Sequence, residues 1–263
     1  TGGILTLSAG SGTFDGSVNI TGGALAITTS ASLGSATAGT VVDGGTLTLS
    51  NINLASSESI SLTGTGGGSG ALQGSGVSSV AASNVITLAG NATIASVGAL
   101  TINGAIGESG GARSLTKSGF GVLTLAGNNS YSGATIVSDG TLAAGAADVL
   151  DNSSGVNLSV SGATLNLAGF NQSLSKLDGV NGAIVTNNAG NTNDTATLTI
   201  SAGGGSYVGD ITQTATDTLS LTKSGTGTQS LGVVNGTYAG ATTISGGTLS
   251  IATDASLGTA VGA

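Results

Sequence analysis

A block of residues recurs three times in this chain with its internal spacing unchanged. Each copy has an aromatic residue, a glycine two positions later and a leucine eleven positions after the aromatic residue: Phe14, Gly16 and Leu25, then Tyr131, Gly133 and Leu142, then Tyr238, Gly240 and Leu249. A further leucine stands eight residues beyond each of these leucines. Spacing kept through such small-residue sequence is typical of stacked repeats.

A shorter motif runs through the same sequence: glycine, a small or aliphatic residue, leucine, any residue, then an apolar residue. Clear copies begin at Gly3, Gly23, Gly45, Gly98, Gly121 and Gly247, and looser copies begin at Gly140 and Gly162. Adjacent copies start 19 to 23 residues apart, so one turn takes about 21 residues. The alternation of apolar and polar residues indicates strands with one buried face. Strands this short must pair turn on turn, which predicts an all-β parallel β-solenoid of roughly twelve turns.

The composition supports a folded β structure. The chain has 49 glycines and no proline, and 38% of its residues are hydrophobic, whereas disordered chains are rich in charge and proline. Proline cannot donate to a strand ladder, so a fold of mostly central strands favours its absence. A leucine-rich repeat and a calcium-binding nonapeptide solenoid are less consistent with the sequence, because helical periodicity and repeated aspartates are missing. A disordered glycine-rich chain is the main alternative.

Charge and cysteine content exclude several classes of partner. The net charge is −8, and only Arg113, Lys117, Lys176 and Lys223 are basic, so we expect no binding to nucleic acid or to an anionic membrane surface. The absence of cysteine and histidine leaves no thiolate or imidazole metal ligands, and we expect no cofactor. No apolar run is long enough to span a bilayer, so we expect no direct membrane insertion of this segment.

We interpret residues 1–263 as a single solenoid that is a fragment of a longer repeat array, with repeat blocks of about 1–117, 118–223 and 224–263. Two stretches break the pattern, 64–79 and 187–205, and both are predicted to be loops that leave the solenoid. Neither end of the chain carries an obvious cap, which suggests assembly end to end or a longer parent protein.

The sequence SGFGVLTLAGNNSYSGATIVSDGTL at 118–142 resembles the passenger-associated transport repeat of bacterial autotransporters. Residues 224–258 and 1–34 are similar to further copies, and the two later copies follow Leu-Thr-Lys-Ser-Gly, which contains Lys117 or Lys223. One departure is Gln229, which stands where the second copy has Leu123. The resemblance implies a right-handed parallel β-helix at the bacterial cell surface. It also implies a signal and a C-terminal outer-membrane domain, which we expect outside these residues.

Candidate functional residues have weak support. Pairs of carboxylates are the signature of polysaccharide-cleaving enzymes, but Asp148 with Asp151, Asp210 with Asp217, and Asp139 lack any basic or aromatic companions. Solvated surface acids are the better interpretation, and we expect no catalytic site. Calcium binding at Asn191, Asn193 and Asp194 is an alternative to a polar loop, and the loop is favoured.

The repeated residues themselves are predicted to be structural. Phe14, Tyr131 and Tyr238 are expected to cover a corner or an end of the core rather than form a ligand-stacking strip. Lys117 and Lys223 are expected to be structural rather than a processing site. Threonine rows at Thr46 and Thr48, and at Thr195, Thr197 and Thr199, suggest an ice-binding face, but they are few and irregular.

The expected function is a non-enzymatic extracellular stalk or fibre module of a surface adhesin. Expected partners are copies of the same chain, arranged end to end or laterally, and a host or surface glycan or protein. The alternative is a module that binds glycan, host protein or ice through a polar face, and a polysaccharide-cleaving enzyme comes third.

Overall fold

A computed structural model describes residues 2–10, 14–34, 38–190, 193–232 and 235–259. Its residues fall into two compact units, Thr1–Gly133 and Ala134–Ala263, called unit 1 and unit 2 below. Every strand pairing described within each unit is parallel, as the short strands of the repeat require. The two units contain about 11 turns of about 22 residues, which confirms the parallel β-solenoid. Its right-handedness stays a prediction.

Unit 1 is made of short strands with buried and partly exposed residues in alternation. They are β1 (Ile4–Leu7), β2 (Val18–Ile20), β3 (Ala24–Ile27), β4 (Thr40–Asp43), β5 (Thr46–Ser50), β6 (Asn53–Leu54), β7 (Ser59–Gly64), β8 (Leu72–Ser75), β9 (Val77–Val80), β10 (Val85–Ser96), β11 (Ala99–Ile102), β12 (Ile106–Glu108), β13 (Leu115–Ser118) and β14 (Val122–Leu125).

The strands of unit 1 form three ladders, one for each face of a three-sided turn. The first ladder runs β1-β3-β5-β8-β10-β13, and the second runs β2-β4-β7-β10-β12. The third ladder runs β6-β9-β11-β14. The long strand β10 belongs to two ladders, because its register shifts between Leu88 and Ala92.

Unit 2 repeats this construction. Its strands are β15 (Thr135–Val137), β16 (Thr141–Ala144), β17 (Val156–Leu158), β18 (Thr164–Asn166), β19 (Gln172–Leu174), β20 (Leu177–Gly179), β21 (Ile184–Asn187), β22 (Thr195–Ile200), β23 (Ser206–Tyr207), β24 (Asp210–Gln213), β25 (Thr218–Lys223), β26 (Thr228–Leu231), β27 (Thr242–Ile244) and β28 (Thr248–Ile251). The ladders of unit 2 are β15-β17-β20-β23-β26-β28, β16-β18-β21-β24 and β19-β22-β25-β27.

The core consists of columns of inward side chains that meet from turn to turn. In the first ladder of unit 1, Leu25, Leu47, Leu72 and Ile94 are register partners in sequence. In the second, Ile20, Val42, Leu62 and Leu88 form a similar column. Each buried aliphatic side chain contributes roughly 1.5–3 kcal/mol, and these contributions accumulate between neighbouring turns.

At one corner of unit 1 the turns approach so closely that side chains have no room. A Cβ atom added to Gly98 would lie 2.1 Å from the carbonyl oxygen of Gly76, and one added to Gly121 would lie 2.0 Å from that of Gly98. Both distances are far inside van der Waals contact, so this corner requires glycine in successive turns.

Both loops are shorter in the structure than the sequence predicts, and those two predictions are wrong in their extent. The stretch 64–79 contains β8 and the start of β9, and only a short excursion with a 3₁₀ turn at Gly66–Gly68 leaves the ladder. The strand was missed because its inward position at Gly74 has no side chain, since a Cβ there would lie 2.7 Å from that of Leu100. The stretch 187–205 contains all of β22. A second 3₁₀ turn, Asp254–Leu257, follows β28.

Candidate functional site

The two repeat lysines point into the core. Lys117 occupies the inward position of β13 opposite Ile94, and Lys223 occupies that of β25 opposite Ile200. Both side chains are fully buried. A lysine fits there because its aliphatic stem lies in the apolar column while the ammonium group reaches the corner.

The ammonium groups are bound by backbone carbonyl groups of the following corner. Lys117 Nζ donates to the carbonyl oxygens of Ser118 at 2.8 Å and Gly119 at 2.6 Å. Lys223 Nζ donates in the same way to Ser224, and to Gly225 at 3.3 Å. Both glycines have positive φ angles, 76° and 64°, which turn their carbonyl groups at the corner. The Lys-Ser-Gly sequence therefore makes the same local contact in both repeats.

The three repeat aromatics differ in burial. Tyr131 and Tyr238 are buried, whereas Phe14 in the first repeat is 42% exposed. The Tyr238 hydroxyl lies 2.7 Å from Thr242 Oγ1 and donates to the carbonyl oxygen of Ser256 at 3.2 Å. Burial raises the pKa of Tyr238 above its ordinary value. The tyrosines therefore lie inside the turns, and Phe14 lies at a more open position.

The repeat glycines and leucines also have definite surroundings. A Cβ atom on Gly133 would lie 2.2 Å from backbone atoms of Arg113, and one on Gly240 would lie 2.3 Å from the carbonyl oxygen of Leu219. A Cβ atom on Gly16 would lie 3.0 Å from the ring of Phe14. Among the repeat leucines, Leu25 and Leu142 are buried and Leu249 is partly exposed.

Equivalent residues of the repeats do not share a face. In unit 2 the second repeat supplies β15 to the first ladder, while the third repeat supplies the equivalent strand β27 to the third ladder. Leu142 and Leu249 accordingly belong to different ladders. The sequence alone hides this, because the repeats are not separated by a whole number of turns.

Amide side chains bridge consecutive turns at several buried positions. Asn84 accepts from the Glu58 backbone N–H at 2.9 Å and donates to the Leu54 carbonyl oxygen at 2.8 Å. Gln172 accepts from the Val149 N–H at 3.1 Å and donates to the carbonyl oxygen of Ala146 at 2.8 Å. These amides satisfy backbone groups that would otherwise be buried without a partner.

Gln229 is the most informative of these amides. Its side chain accepts from the N–H of Leu177 at 3.2 Å and donates to the carbonyl oxygen of the same residue at 2.7 Å. The intervening turn supplies Gly205, where an added Cβ would lie 2.6 Å from Gln229 Oε1. The Gln229 side chain therefore passes Gly205 and hydrogen-bonds to Leu177, two turns earlier in the chain. A leucine at this position could not make these hydrogen bonds.

Glu58 is a buried carboxyl group near the second ladder of unit 1. Thr40 Oγ1 donates to Glu58 Oε1 at 2.8 Å, and Oε2 has no hydrogen-bond partner among the described residues. Burial raises the pKa of Glu58, and the Thr40 hydrogen bond opposes that shift. The sequence did not point to Glu58, and it marked Gln229 only as a departure from the repeat, since neither residue belongs to a motif with a chemical signature.

The aspartates considered for catalysis accept hydrogen bonds from backbone N–H groups or from a neighbouring side chain. Asp148 Oδ1 accepts from the N–H of Ser173 at 3.0 Å, and Asp210 Oδ1 accepts from that of Asn235 at 3.1 Å. Asp151 Oδ1 accepts from the side chain of Asn152 at 3.0 Å, and Asp139 Oδ1 from the N–H of Gly140 at 2.8 Å.

Asp217 accepts hydrogen bonds from the segment that was a candidate for calcium binding. The hydroxyl of Thr214 donates to Asp217 at 2.7 Å and is the main reason that its pKa is lowered, with further help from the N–H groups of Ala189 and Asp194. Asn193 has a positive φ of 68°, and Asn191 lies outside the described residues. Within the described ranges, no group of three or more His, Cys, Asp or Glu residues is placed to hold a metal ion.

The two threonine rows differ. Thr46 is buried and donates to the carbonyl oxygen of Gly66 at 3.0 Å, and Thr48 donates to Gln73 Oε1 at 3.3 Å. In unit 2 the outward positions of β22 and β25 are paired hydroxyl residues, here called the hydroxyl face: Thr195 with Thr218, Thr197 with Ser220, and Thr199 with Thr222. The side chains of the hydroxyl face make no hydrogen bond within the described part of the chain.

Comparison with known proteins agrees with this architecture. The family model described as "Passenger-associated-transport-repeat" matches residues 2–27, 115–144 and 221–251. An "Adhesin BmaC autotransporter" from Brucella suis biovar 1 (strain 1330) is 41% identical over 146 residues, which is 54% of this chain and 4% of that protein. No solved structure matches. None of the helices in the described ranges has the length and apolar character needed to cross a membrane. The chain is a parallel β-solenoid that carries passenger-associated transport repeats of the kind found in autotransporter passengers.

Proposed function

We propose that this chain is a non-enzymatic structural segment of an extracellular adhesin at a bacterial cell surface. The proposal rests on the hydrogen-bond partners of the buried polar side chains. Lys223, Asn84 and Gln229 all bond to backbone groups inside the solenoid. The aspartates considered for catalysis likewise hold backbone or neighbouring side-chain groups. Similarity to an autotransporter adhesin supports export and surface display.

A structural segment can be replaced by another structure of the same kind, whereas a binding segment cannot. The test is surface display of an adhesive module fused beyond this chain in three forms. These are the intact chain, a deletion of the chain, and its replacement by an unrelated parallel β-solenoid with the same number of turns. We expect adhesion of the displaying cells to fall on deletion and to return fully with the replacement. Adhesion that returns only with this chain would contradict the structural role.

Enzymatic activity is tested separately with purified chain and soluble polysaccharides. We expect no release of reducing ends above that of a heat-denatured sample. Release that is abolished by Asp148→Asn or Asp210→Asn, with the fold intact by circular dichroism, would overturn the non-enzymatic assignment.

The hydroxyl face supports a second candidate function, recognition of a glycan. Its hydroxyl groups can both donate and accept hydrogen bonds, and they are not engaged within the described part of the chain. On a glycan array, the double variant Thr197→Val with Thr222→Val is expected to lose any binding shown by the parent chain. The matched control is Thr101→Val with Thr124→Val on the third ladder of unit 1, which should retain it. Equal binding by parent and both variants would exclude the hydroxyl face.

A further inference from the structure

The dipeptide Asn-Gly occurs three times in the chain, at Asn103-Gly104, Asn181-Gly182 and Asn235-Gly236. In this dipeptide the backbone nitrogen of the glycine can attack the side-chain amide carbon of the asparagine, because glycine has no side chain to obstruct the approach. The reaction also needs an asparagine side chain that is free to rotate and a glycine that solvent reaches. The structure distinguishes the three pairs by these criteria.

Asn181-Gly182 forms the tip of a turn between β20 and β21. The N–H of Ala183 donates to the carbonyl oxygen of Val180 at 3.1 Å and closes this turn. Asn181 is exposed and Gly182 is partly exposed. Neither the Asn181 side chain nor the Gly182 N–H makes a hydrogen bond within the described ranges. Both reacting groups are therefore unengaged there, at a position that solvent reaches.

The fold requires glycine at position 182. Gly182 has a φ of 77°, which residues with a side chain rarely adopt. A Cβ atom added to Gly182 would also lie 2.3 Å from Ser161 Oγ in the preceding turn. The turn itself therefore excludes the larger residues that would slow an attack on the Asn181 side chain.

The other two pairs are held by contacts with earlier turns. In Asn103-Gly104 the glycine is buried, and the asparagine side chain donates to the carbonyl oxygen of Val80 at 3.2 Å. In Asn235-Gly236 the glycine is buried and bridges to Ile211, whose N–H donates to the Asn235 carbonyl oxygen at 3.2 Å. Closing a ring at either pair would disrupt these contacts, so local opening must come first.

We propose that Asn181 is a site of spontaneous deamidation in the folded chain. The Gly182 nitrogen bonds to Cγ of Asn181 while the C–N bond of the side-chain amide breaks. Ammonia leaves and takes up the proton of the former Gly182 N–H, and the product is a cyclic succinimide. Water then opens the ring at either carbonyl group. One opening gives aspartate, and the other gives isoaspartate, in which the side-chain carbon has entered the main chain.

Both products change this corner of unit 2. Each product carries a carboxylate, which adds a negative charge to a chain whose net charge is already −8. Isoaspartate also lengthens the main chain by one carbon within the turn that Ala183 and Val180 close. The carbonyl oxygen of Gly182 accepts from the N–H of Gly162 at 2.7 Å, so the lengthened turn also strains its link to the preceding turn.

Peptide mapping tests the assignment, because Arg113, Lys176 and Lys223 separate the three pairs into different tryptic peptides. The folded chain is incubated in mildly alkaline buffer, then denatured and digested, and conversion of amide to acid is measured by mass against an unincubated sample. We expect the peptide 177–223 to convert first and its product to be methylated by an enzyme specific for isoaspartate. Conversion at the other two pairs should be at least about tenfold slower, since each requires local opening.

Two controls make the result specific. In a chain incubated in urea, all three pairs are expected to convert at similar rates, because no turn protects any of them. In the folded variant Asn181→Gln, the peptide 177–223 should lose its fast conversion, since glutamine closes the corresponding larger ring slowly. The proposal is overturned if Asn181 converts no faster than Asn103 and Asn235 in the folded chain, or if Asn181→Gln leaves the conversion of its peptide unchanged.

Discussion

At Gln229 an amide side chain provides the hydrogen bonds that a neighbouring strand provides elsewhere in unit 2. It binds both the N–H and the carbonyl oxygen of Leu177, which are separated from it by a glycine-rich turn. Buried backbone groups that lose their partners cost more free energy than a hydrogen bond ordinarily contributes. A polar residue at an inward position is therefore a stabilising residue here.

We predict that Gln229→Leu, which restores the leucine of the second repeat, destabilises the chain. The expected loss is about 1–3 kcal/mol, since the Leu177 N–H and carbonyl groups are left unsatisfied. Urea unfolding followed by circular dichroism measures it. The matched control Gln73→Leu changes an outward glutamine of β8, whose hydrogen bonds to Thr48 and Ser69 are long and whose partners remain open to water, and it should cost less than Gln229→Leu. A Gln229→Leu chain as stable as the parent would contradict this account.

Glu58 and Glu108 should give pH dependences of opposite sign. Burial raises the pKa of Glu58, so the folded state holds its proton more tightly than the unfolded state. The contribution of Glu58 to stability is full at low pH and falls as the pH rises through its folded-state pKa. Glu58→Gln is therefore expected to match the parent near pH 4 and to be more stable at pH 7.

Glu108 is the converse case and serves as the control. The Ser132 hydroxyl donates to it at 2.6 Å and is the largest cause of its lowered pKa. Its contribution is present above the ordinary glutamate pKa and is lost as the pH falls. Glu108→Gln should therefore be less stable than the parent at pH 7, with the difference shrinking in acid. Parallel pH profiles for the two variants, measured as the difference in unfolding free energy from the parent, would refute the assignment.

At the scale of strands, a missing side chain in one turn makes room for a large one in the next. Gly179 takes an inward position in β20, and its register partners are Leu158 and Tyr207. A Cβ atom added to Gly179 would lie 2.5 Å from the Tyr207 ring. The hydroxyl of this buried tyrosine donates to the carbonyl oxygen of Asp210 at 2.7 Å. The Tyr207 ring therefore occupies the volume that a side chain at Gly179, in the preceding turn, would otherwise take.

We expect Gly179→Ala to destabilise the chain by about 1–3 kcal/mol through overpacking. Tyr207→Leu alone should also be destabilising, because it removes buried ring volume and a hydrogen bond. In the double variant the two costs should not add, since the smaller leucine gives the new methyl group room. A double-mutant cycle from urea unfolding measures this coupling, and additive values would show that the two sites do not share the space.

The strands also show which features the sequence predicts and which it does not. The alternation around Leu47 and Leu49 predicts inward leucines, and both are buried. The turn length follows from motif spacing alone. The strand β8 was missed because Gly74 interrupts the apolar alternation. The roles of Gln229 and Tyr207 depend on contacts with residues 52 and 24 positions away, which no local pattern reports.

The faces occupied by the repeats could not be predicted either. Because successive repeats start on different sides of the turn, Leu142 and Leu249 belong to different ladders of unit 2. A regular sequence repeat therefore does not imply a regular row on the surface. This is why the repeat aromatics were not a sound basis for a ligand-binding strip.

For the whole molecule, burial of the lysines limits where a protease can act. Of the four basic residues, Lys117 and Lys223 are fully buried. Lys176 is partly exposed in an ion pair with Asp178 at 2.9 Å, and Arg113 lies between β12 and β13.

We predict that trypsin cleaves the folded chain only after Arg113 and Lys176, whereas it cleaves the denatured chain after all four basic residues. Mass spectrometry of a digestion time course identifies the termini of the fragments. Cleavage of the folded chain after Lys117 or Lys223 at a rate similar to that after Arg113 would contradict the burial of these side chains.

The glycine corner of unit 1 has a consequence for how genes of this kind change length. Gly98 faces the carbonyl group of Gly76 just as Gly121 faces that of Gly98, so two successive turns make the same junction. Unequal recombination that adds or removes one complete turn recreates this junction, and the ladders close again in register. Insertion or loss of a single codon inside a strand instead moves its inward residues to the outside. Alleles should therefore differ by multiples of about 22 residues, and frame-preserving changes of other sizes should be confined to the excursions between strands.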